Sequence, residues 1–265
     1  MHPVLFNVGP FTVHTYGALI ALAFLVGLIL ASKEAKRKGI DPERMMDLGL
    51  YILIAAILGS RIFQVAVEYK YFSQNPLEIF KIWKGGLAFY GGFIGALFMG
   101  IWYLRKHDMP VWKVGDALAP SIALGQAIGR LGCLSAGCCY GLPTDLPWGI
   151  TFNAPGTLAL PGIPLQPTQL YESFSMFILF GVLWAFRKRI KVEGQLFWTY
   201  VLSYSVIRFI IEFYRGDTQR GFIQMGSFDL SSSQAVAIFA FMTSVVALTA
   251  LKAQSRKAKA LNQEG

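Results

Sequence analysis

Long apolar stretches alternate with short polar runs along this chain, and the runs are mostly basic. A membrane span needs about 20 mostly apolar residues, because lipid offers no hydrogen-bond partner to a free backbone amide. Seven stretches fit, at residues 15–32, 47–67, 87–104, 114–132, 169–186, 195–213 and 231–251. The pattern therefore predicts an all-α polytopic membrane protein of seven transmembrane helices, with residues 1–265 forming a single transmembrane domain. The first stretch does not read as a cleaved leader. Residues 1–14 hold no Lys or Arg, and the basic run Lys33, Lys36, Arg37, Lys38 follows the apolar residues rather than preceding them. This predicts a retained span with its N-terminus outside.

Short cytoplasmic loops hold an excess of Lys and Arg, which gives an independent check on orientation. With the N-terminus outside, the inner segments collect Lys33, Lys36, Arg37, Lys38 and Arg44, then Arg105, Lys106 and Lys113, then Arg187, Lys188, Arg189 and Lys191, and finally Lys252, Arg256, Lys257 and Lys259. The outer segments hold only Lys70, Lys81, Lys84, Arg215 and Arg220. The longest polar connection, residues 133–167, has no Lys or Arg and is rich in Pro and Gly. It is expected to form a small head on the outer side, made of turns and short strands. Residues 69–85 mix Phe72, Leu77, Ile79, Phe80 and Trp83 with Glu78, Lys81 and Lys84. Too short to span, this segment reads as an amphipathic arm lying in the outer interface, with a loop packed on the bundle as the alternative.

Composition agrees with the pattern. Hydrophobic residues make up 54% and charged ones 15%, and mean hydropathy is +0.48, which excludes a water-soluble globule. The net charge of +9 comes from loop clusters, so it describes topology and argues against nucleic acid as a partner. The 21 Phe, 11 Tyr and 6 Trp exclude disorder. The three cysteines, Cys133, Cys138 and Cys139, are too few for a disulfide framework, although a Cys133–Cys138 bridge could close a turn. Three thiols without a neighbouring His or acid make a weak metal motif, so no metal and no cofactor is expected.

A charge at membrane depth costs about 2.5–3.5 kcal/mol on insertion scales, so each one calls for a partner or a ligand. Arg61, Arg130 and Arg208 lie within or at the ends of spans, and Glu212 follows Arg208 on the same helical face. One reading is structural pairing, of Arg208 with Glu212 and of Arg61 with Glu68 or Glu172. The other is an anionic ligand, since a guanidinium fork matches phosphate oxygens. Three arginines near the outer ends of spans favour the ligand. Five glycines between Gly85 and Gly95, beside Tyr90, suit either close approach to a headgroup or tight helix packing. His14 and Tyr16 stand at the outer mouth of the first span.

Taken in order, His14-Thr15-Tyr16-Gly17, Gly59-Ser60-Arg61, the Gly85–Gly95 run, Gly129-Arg130-Leu131-Gly132, Pro167-Thr168-Gln169-Leu170-Tyr171-Glu172 and Tyr204–Arg208 with Glu212-Phe213-Tyr214-Arg215 make the chain resemble the bacterial prolipoprotein diacylglyceryl transferases. The resemblance implies an inner-membrane enzyme with its active site toward the periplasm. Such an enzyme moves the diacylglyceryl group of phosphatidylglycerol onto the thiol of a lipobox cysteine in a preprolipoprotein, releasing glycerol 1-phosphate. It implies Arg130 and Arg208 as catalytic phosphate ligands, with Arg61, Tyr16, Gly91, Gly92, Gly141, Tyr204, Glu212 and Glu172 around the substrates.

The chain departs from the family pattern at several positions. Cys133 and Ala136 stand where the family has asparagines, Cys138 where it has glutamate, and Tyr90 where it has histidine, while Gly141 is kept. The family's His-Pro-Ser-Gln appears as Gln166-Pro167-Thr168-Gln169. These departures leave the base open: His14, or loss of the thiol proton assisted by the substrate, with Tyr90 as a hydrogen-bond donor. They also leave open a second reading, a lipid-binding paralogue or carrier that keeps the arginine pocket and has lost the chemistry.

Overall fold

A computed structural model describes residues 3–8, 11–81, 85–86, 88–217, 222–225 and 228–264. Eight α-helices are present among them: α1 (Thr15–Arg37), α2 (Pro42–Val67), α3 (Tyr69–Gln74), α4 (Phe89–Lys106), α5 (Val111–Ala136), α6 (Thr168–Phe186), α7 (Gln195–Glu212) and α8 (Ser232–Glu264). All seven stretches expected to span are thus helical. Five of them, α1, α2, α5, α6 and α8, are long and apolar enough to cross a membrane. α4 and α7 are shorter, at 18 residues each, and carry charge in that length: Arg105 and Lys106 close α4, and Arg208 and Glu212 lie in α7.

The helices turn large apolar side chains outward. Leu25 and Leu58 are more than half exposed, as are Phe98, Phe239 and Val246. Water would not tolerate such faces, but lipid tails cover them at no cost, so the fold is that of a polytopic membrane protein.

The chain forms two compact units, Ser32–Val114 and the remainder (Met1–Ala31 with Gly115–Gly265). In Ser32–Val114, Asp41 starts α2 by accepting a hydrogen bond from Glu43 N at 2.9 Å, and Pro42 supplies a preset φ at the first helical position. α2 and α4 pack through small residues spaced by four, Ala55 and Gly59 on one helix and Gly91 and Gly95 on the other. A Cβ at Gly91 would lie 2.3 Å from Gly59 O, and one at Gly92 would lie 2.3 Å from Ser60 Oγ. Helix packing therefore accounts for both glycines without a ligand. The segment expected as an arm is α3 followed by a 3-10 turn at Pro76–Phe80. Trp83, named above as part of that segment, lies outside the described residues.

In the other unit α5, α6 and α7 share a core. Ala119, Ala123 and Ala127 repeat every four residues along α5 and face Met176, Leu179, Leu183, Leu196 and Tyr200. Asp116, 1% exposed, accepts from Gly194 N and Phe197 N at 3.0 Å. One buried carboxylate on α5 thus satisfies the free amides that open α7, where the helix dipole favours negative charge. The expected head is a small cluster of Phe152, Ala159 and Leu165 closed by Leu134, Tyr140 and Ile150. Strands β3 (Ile150–Thr151) and β4 (Pro164–Leu165) pair antiparallel within it. Two hairpins complete the unit: β1 (Val4–Val8) with β2 (Phe11–His14), and β5 (Phe222–Met225) with β6 (Phe228–Ser231). Gly141 is wedged between segments, since a Cβ there would lie 2.5 Å from Gln166 O and 2.8 Å from Tyr214 O.

Candidate functional site

Four charged side chains from three helices meet in the larger unit. Arg130 lies near the end of α5, Glu172 in the second turn of α6, and Arg208 and Glu212 on the last turns of α7. Glu172 joins the two arginines, its Oε1 lying 2.8 Å from Arg130 Nη2 and its Oε2 3.8 Å from Arg208 Nη1. Arg208 Nη2 lies 2.8 Å from Glu212 Oε2 and donates to Ser233 Oγ at 3.0 Å. Tyr204, one turn before Arg208 on α7, packs partly buried against the helix core. The two glutamates are almost fully buried, and the arginine side chains keep 20% and 11% of their surface. Removing one member of such a buried pair typically costs about 3–5 kcal/mol, because the other charge is left stranded.

The cluster is balanced in charge but not saturated in hydrogen bonds. Arg208 Nη1 and Glu172 Oε1 are buried with no aligned hydrogen-bond partner. Glu172 Oε1 is close to Arg130, so that contact is ionic rather than directional. A buried guanidinium N–H without an aligned acceptor carries the desolvation cost of an unmade hydrogen bond.

The pairing expected between Arg208 and Glu212 is present. Arg61 is placed differently from either pairing expected for it. It donates to Ile79 O at 2.9 Å, Gly85 O at 3.0 Å, Gly86 O at 2.9 Å and to Glu78 O, and it lies over the Phe72 ring at 5.0 Å. Backbone carbonyls, not Glu68 or Glu172, satisfy this arginine. It ties α2 to the segment after α3, within Ser32–Val114, the unit that also holds Tyr90 (61% exposed). Tyr16 packs against Gly132, where a Cβ would meet its ring at 3.3 Å. His14 ends β2 and is exposed.

The structure brings together one group whose arrangement the sequence pattern did not reveal. Cys133, Cys138 and Cys139 are free and half-buried, and their sulfurs all lie within 4.8 Å of one another. α5 ends at Ala136, Gly137 turns the chain with φ +69°, and Cys138 N returns to Cys133 O at 3.1 Å. Cys139 then takes φ +59°, which costs a residue with a Cβ about 1–2 kcal/mol. The turn is held from α6: buried Thr168 and Gln169 donate to Cys139 O and Cys138 O, each at 2.7 Å. Hydrogen bonds with Cys133 and Cys138 push the Cys139 thiol down from its ordinary value, and the charges of Arg130 and Arg215 add to this against the effect of burial. Burial acts on Arg215 in the opposite sense, but its hydrogen bonds with Asp217, at 2.9 and 2.5 Å, leave it raised.

Apolar helices around a buried, incompletely satisfied arginine–glutamate cluster define a class, the integral-membrane protein with paired charges buried among its helices. Residues 3–250 match the family model described as prolipoprotein diacylglyceryl transferase. Among curated relatives named phosphatidylglycerol–prolipoprotein diacylglyceryl transferase, that of Clostridium tetani is 40% identical over 92% of this chain and 96% of its own length. That of Synechococcus elongatus is 34% identical, over 90% of this chain and 84% of its own, and that of Finegoldia magna 36%, over 90% and 92%. The chain belongs to the prolipoprotein diacylglyceryl transferase family.

Proposed function

We propose that this chain transfers the sn-1,2-diacylglyceryl group of phosphatidylglycerol to the thiol of the lipobox cysteine of a preprolipoprotein and releases glycerol 1-phosphate. Membership of the family supports the reaction, and the unsaturated cluster of Arg130, Glu172, Arg208 and Glu212 supports the site. The observation that carries the reading is Arg208 Nη1, a buried cationic donor with no aligned acceptor.

The chemistry follows from the bonds that change. The thiol loses its proton and its sulfur attacks the glycerol carbon that bears the phosphate. The carbon–oxygen bond breaks, and its electron pair leaves on a phosphate monoester. Negative charge therefore grows on the phosphate side, where guanidinium groups fixed in advance stabilise it without reorganising. Arg130 and Arg208 supply that charge, Glu172 and Glu212 orient them, and Tyr204 stands one turn before Arg208 on α7. Tyr16 and Gly141 flank the same end of the unit. Within Ser32–Val114, Arg61 holds the arm to α2, and Gly91 and Gly92 let α4 pack closely on α2. His14 stands at the outer mouth of α1.

The protein crosses the bacterial inner membrane seven times, α4 and α7 included. Residues 69–85 form an interfacial arm, residues 133–167 a periplasmic head, and the active site faces the periplasm. Purified protein incubated with phosphatidylglycerol and a lipobox peptide is expected to raise the peptide mass by one diacylglyceryl group. Lipid binding without any mass increase would instead identify a carrier.

A further inference from the structure

The thiol cluster has no task in the proposed transfer reaction. Three ligating residues within seven positions prove nothing in a sequence, because their side chains can diverge; here the sulfurs all converge to within 4.8 Å. The convergence comes from two backbone devices on either side of Cys138, the positive φ of Gly137 and that of Cys139. Two buried α6 side chains then pin the turn through Cys138 O and Cys139 O. A strained non-glycine residue in an otherwise hydrogen-bonded turn is a feature that concentrates at functional sites.

We propose that Cys133, Cys138 and Cys139 bind one soft metal ion of the zinc class, whose open fourth position takes the thiol of the protein substrate. Around zinc, with Zn–S of about 2.3 Å, tetrahedral sulfurs stand about 3.8 Å apart, so the observed cluster needs only a small contraction. An all-sulfur ligand set selects a soft ion over magnesium or calcium. Three protein ligands with one open position is the pattern of a catalytic rather than a structural site. Three thiolates around a dication leave one net negative charge, and cations stand nearby. Arg130 precedes Cys133 by one helical turn, and Arg215 pairs with Gly141, two residues beyond Cys139.

The use of the fourth position rests on the reaction proposed above, whereas the metal site itself does not. A thiol that coordinates such an ion gives its proton to water. Its sulfur then forms the bond to the glycerol carbon, and the carbon–oxygen pair leaves with the phosphate beside Arg130. The thioether product carries no charge, binds the ion weakly, and is displaced by the next thiol. No side-chain base is required, in keeping with the exposed positions of His14 and Tyr90.

The test uses the full chain, purified in detergent under a phosphine reductant and titrated with cobalt(II) and with zinc(II). One equivalent of cobalt(II) is expected to give the intense visible bands of a tetrahedral thiolate complex, and zinc(II) to bleach them. Cys133→Ala and Cys138→Ser, each checked for folding by circular dichroism, are expected to lose the bands. A lipobox peptide should shift them, and the same peptide with Ser in place of Cys should not. Absence of stoichiometric binding by folded protein, or bands unchanged in both variants, would overturn the site. Bands unmoved by the cysteine peptide, or full transfer by chelator-stripped protein, would overturn its use of the substrate thiol. A thiol-dependent shift without transfer from phosphatidylglycerol would support the site while sinking the reaction assigned to it.

Discussion

At Glu172 one carboxylate serves two guanidinium groups, 2.8 Å from Arg130 and 3.8 Å from Arg208. Replacing it with glutamine keeps the shape but leaves two buried cations with a single counter-charge, Glu212. Glu172→Gln is expected to lower transfer by more than 10-fold and to reduce thermal stability, both measurable on one detergent-purified sample. Arg130→Lys keeps the charge and loses the fork, and loss of one transition-state contact of this kind costs about 100-fold or more in rate. Turnover near that of the parent in Arg130→Lys would remove Arg130 from the phosphate. Arg208 and Glu212 should behave as a unit. The double variant Arg208→Gln with Glu212→Gln is expected to lose little more activity than either single change, and strictly additive losses would deny their coupling. At this scale the Arg208–Glu212 pair was legible because helical geometry alone sets an i,i+4 contact. The Arg130–Glu172 contact was not, because it joins α5 to α6 and depends on how the two helices pack. Arg61 was misjudged in its partners for a related reason: a guanidinium can be satisfied by carbonyls, and carbonyls carry no mark in a sequence.

Between elements, small residues decide how closely two helices approach. A methyl group at Gly91 would sit 2.3 Å from Gly59 O and 2.3 Å from Phe63 Cβ, against backbone that cannot move without separating α2 from α4. Gly91→Ala is therefore expected to destabilise by about 1–3 kcal/mol, the usual cost of overpacking. Gly181→Ala on α6 meets nothing within 4 Å and should leave stability unchanged or raise it, since alanine favours a helix. Melting temperatures in the same detergent test the contrast, and equal losses at both positions would count against α2–α4 packing as the reason for Gly91. The helices themselves were largely legible, because apolar length is an unambiguous signal in a chain that must satisfy every amide within lipid. The turn after α5 was not. Its shape depends on a left-handed cysteine and on side chains supplied from α6, and neither leaves a periodic trace.

For the molecule as a whole, the question is whether α4 and α7 cross the bilayer, and charge separates the alternatives. If only the five longest and most apolar helices crossed, with the N-terminus outside, residues 137–167 would fall inside. The run Arg187, Lys188, Arg189 and Lys191, together with Arg105, Lys106 and Lys113, would fall outside. That places the head free of Lys and Arg in the cytoplasm and two of the basic clusters on the far side, against the bias that orients membrane proteins. Seven crossings reverse both placements and leave every dense basic run inside. α4 and α7, at 18 residues each, reach about 27 Å at 1.5 Å per residue, close to the roughly 30 Å of hydrocarbon they must cross. The buried partners of Arg208 and Glu212 remove the main electrostatic objection to placing α7 in lipid. Alkaline phosphatase fused after Leu158 is therefore expected to be active, since that enzyme matures only outside the cytoplasm. Green fluorescent protein fused after Lys188 is expected to fluoresce, since that protein matures inside. The opposite pair of results, a silent phosphatase at Leu158 and a dark reporter at Lys188, would establish five crossings and move the head to the cytoplasmic side.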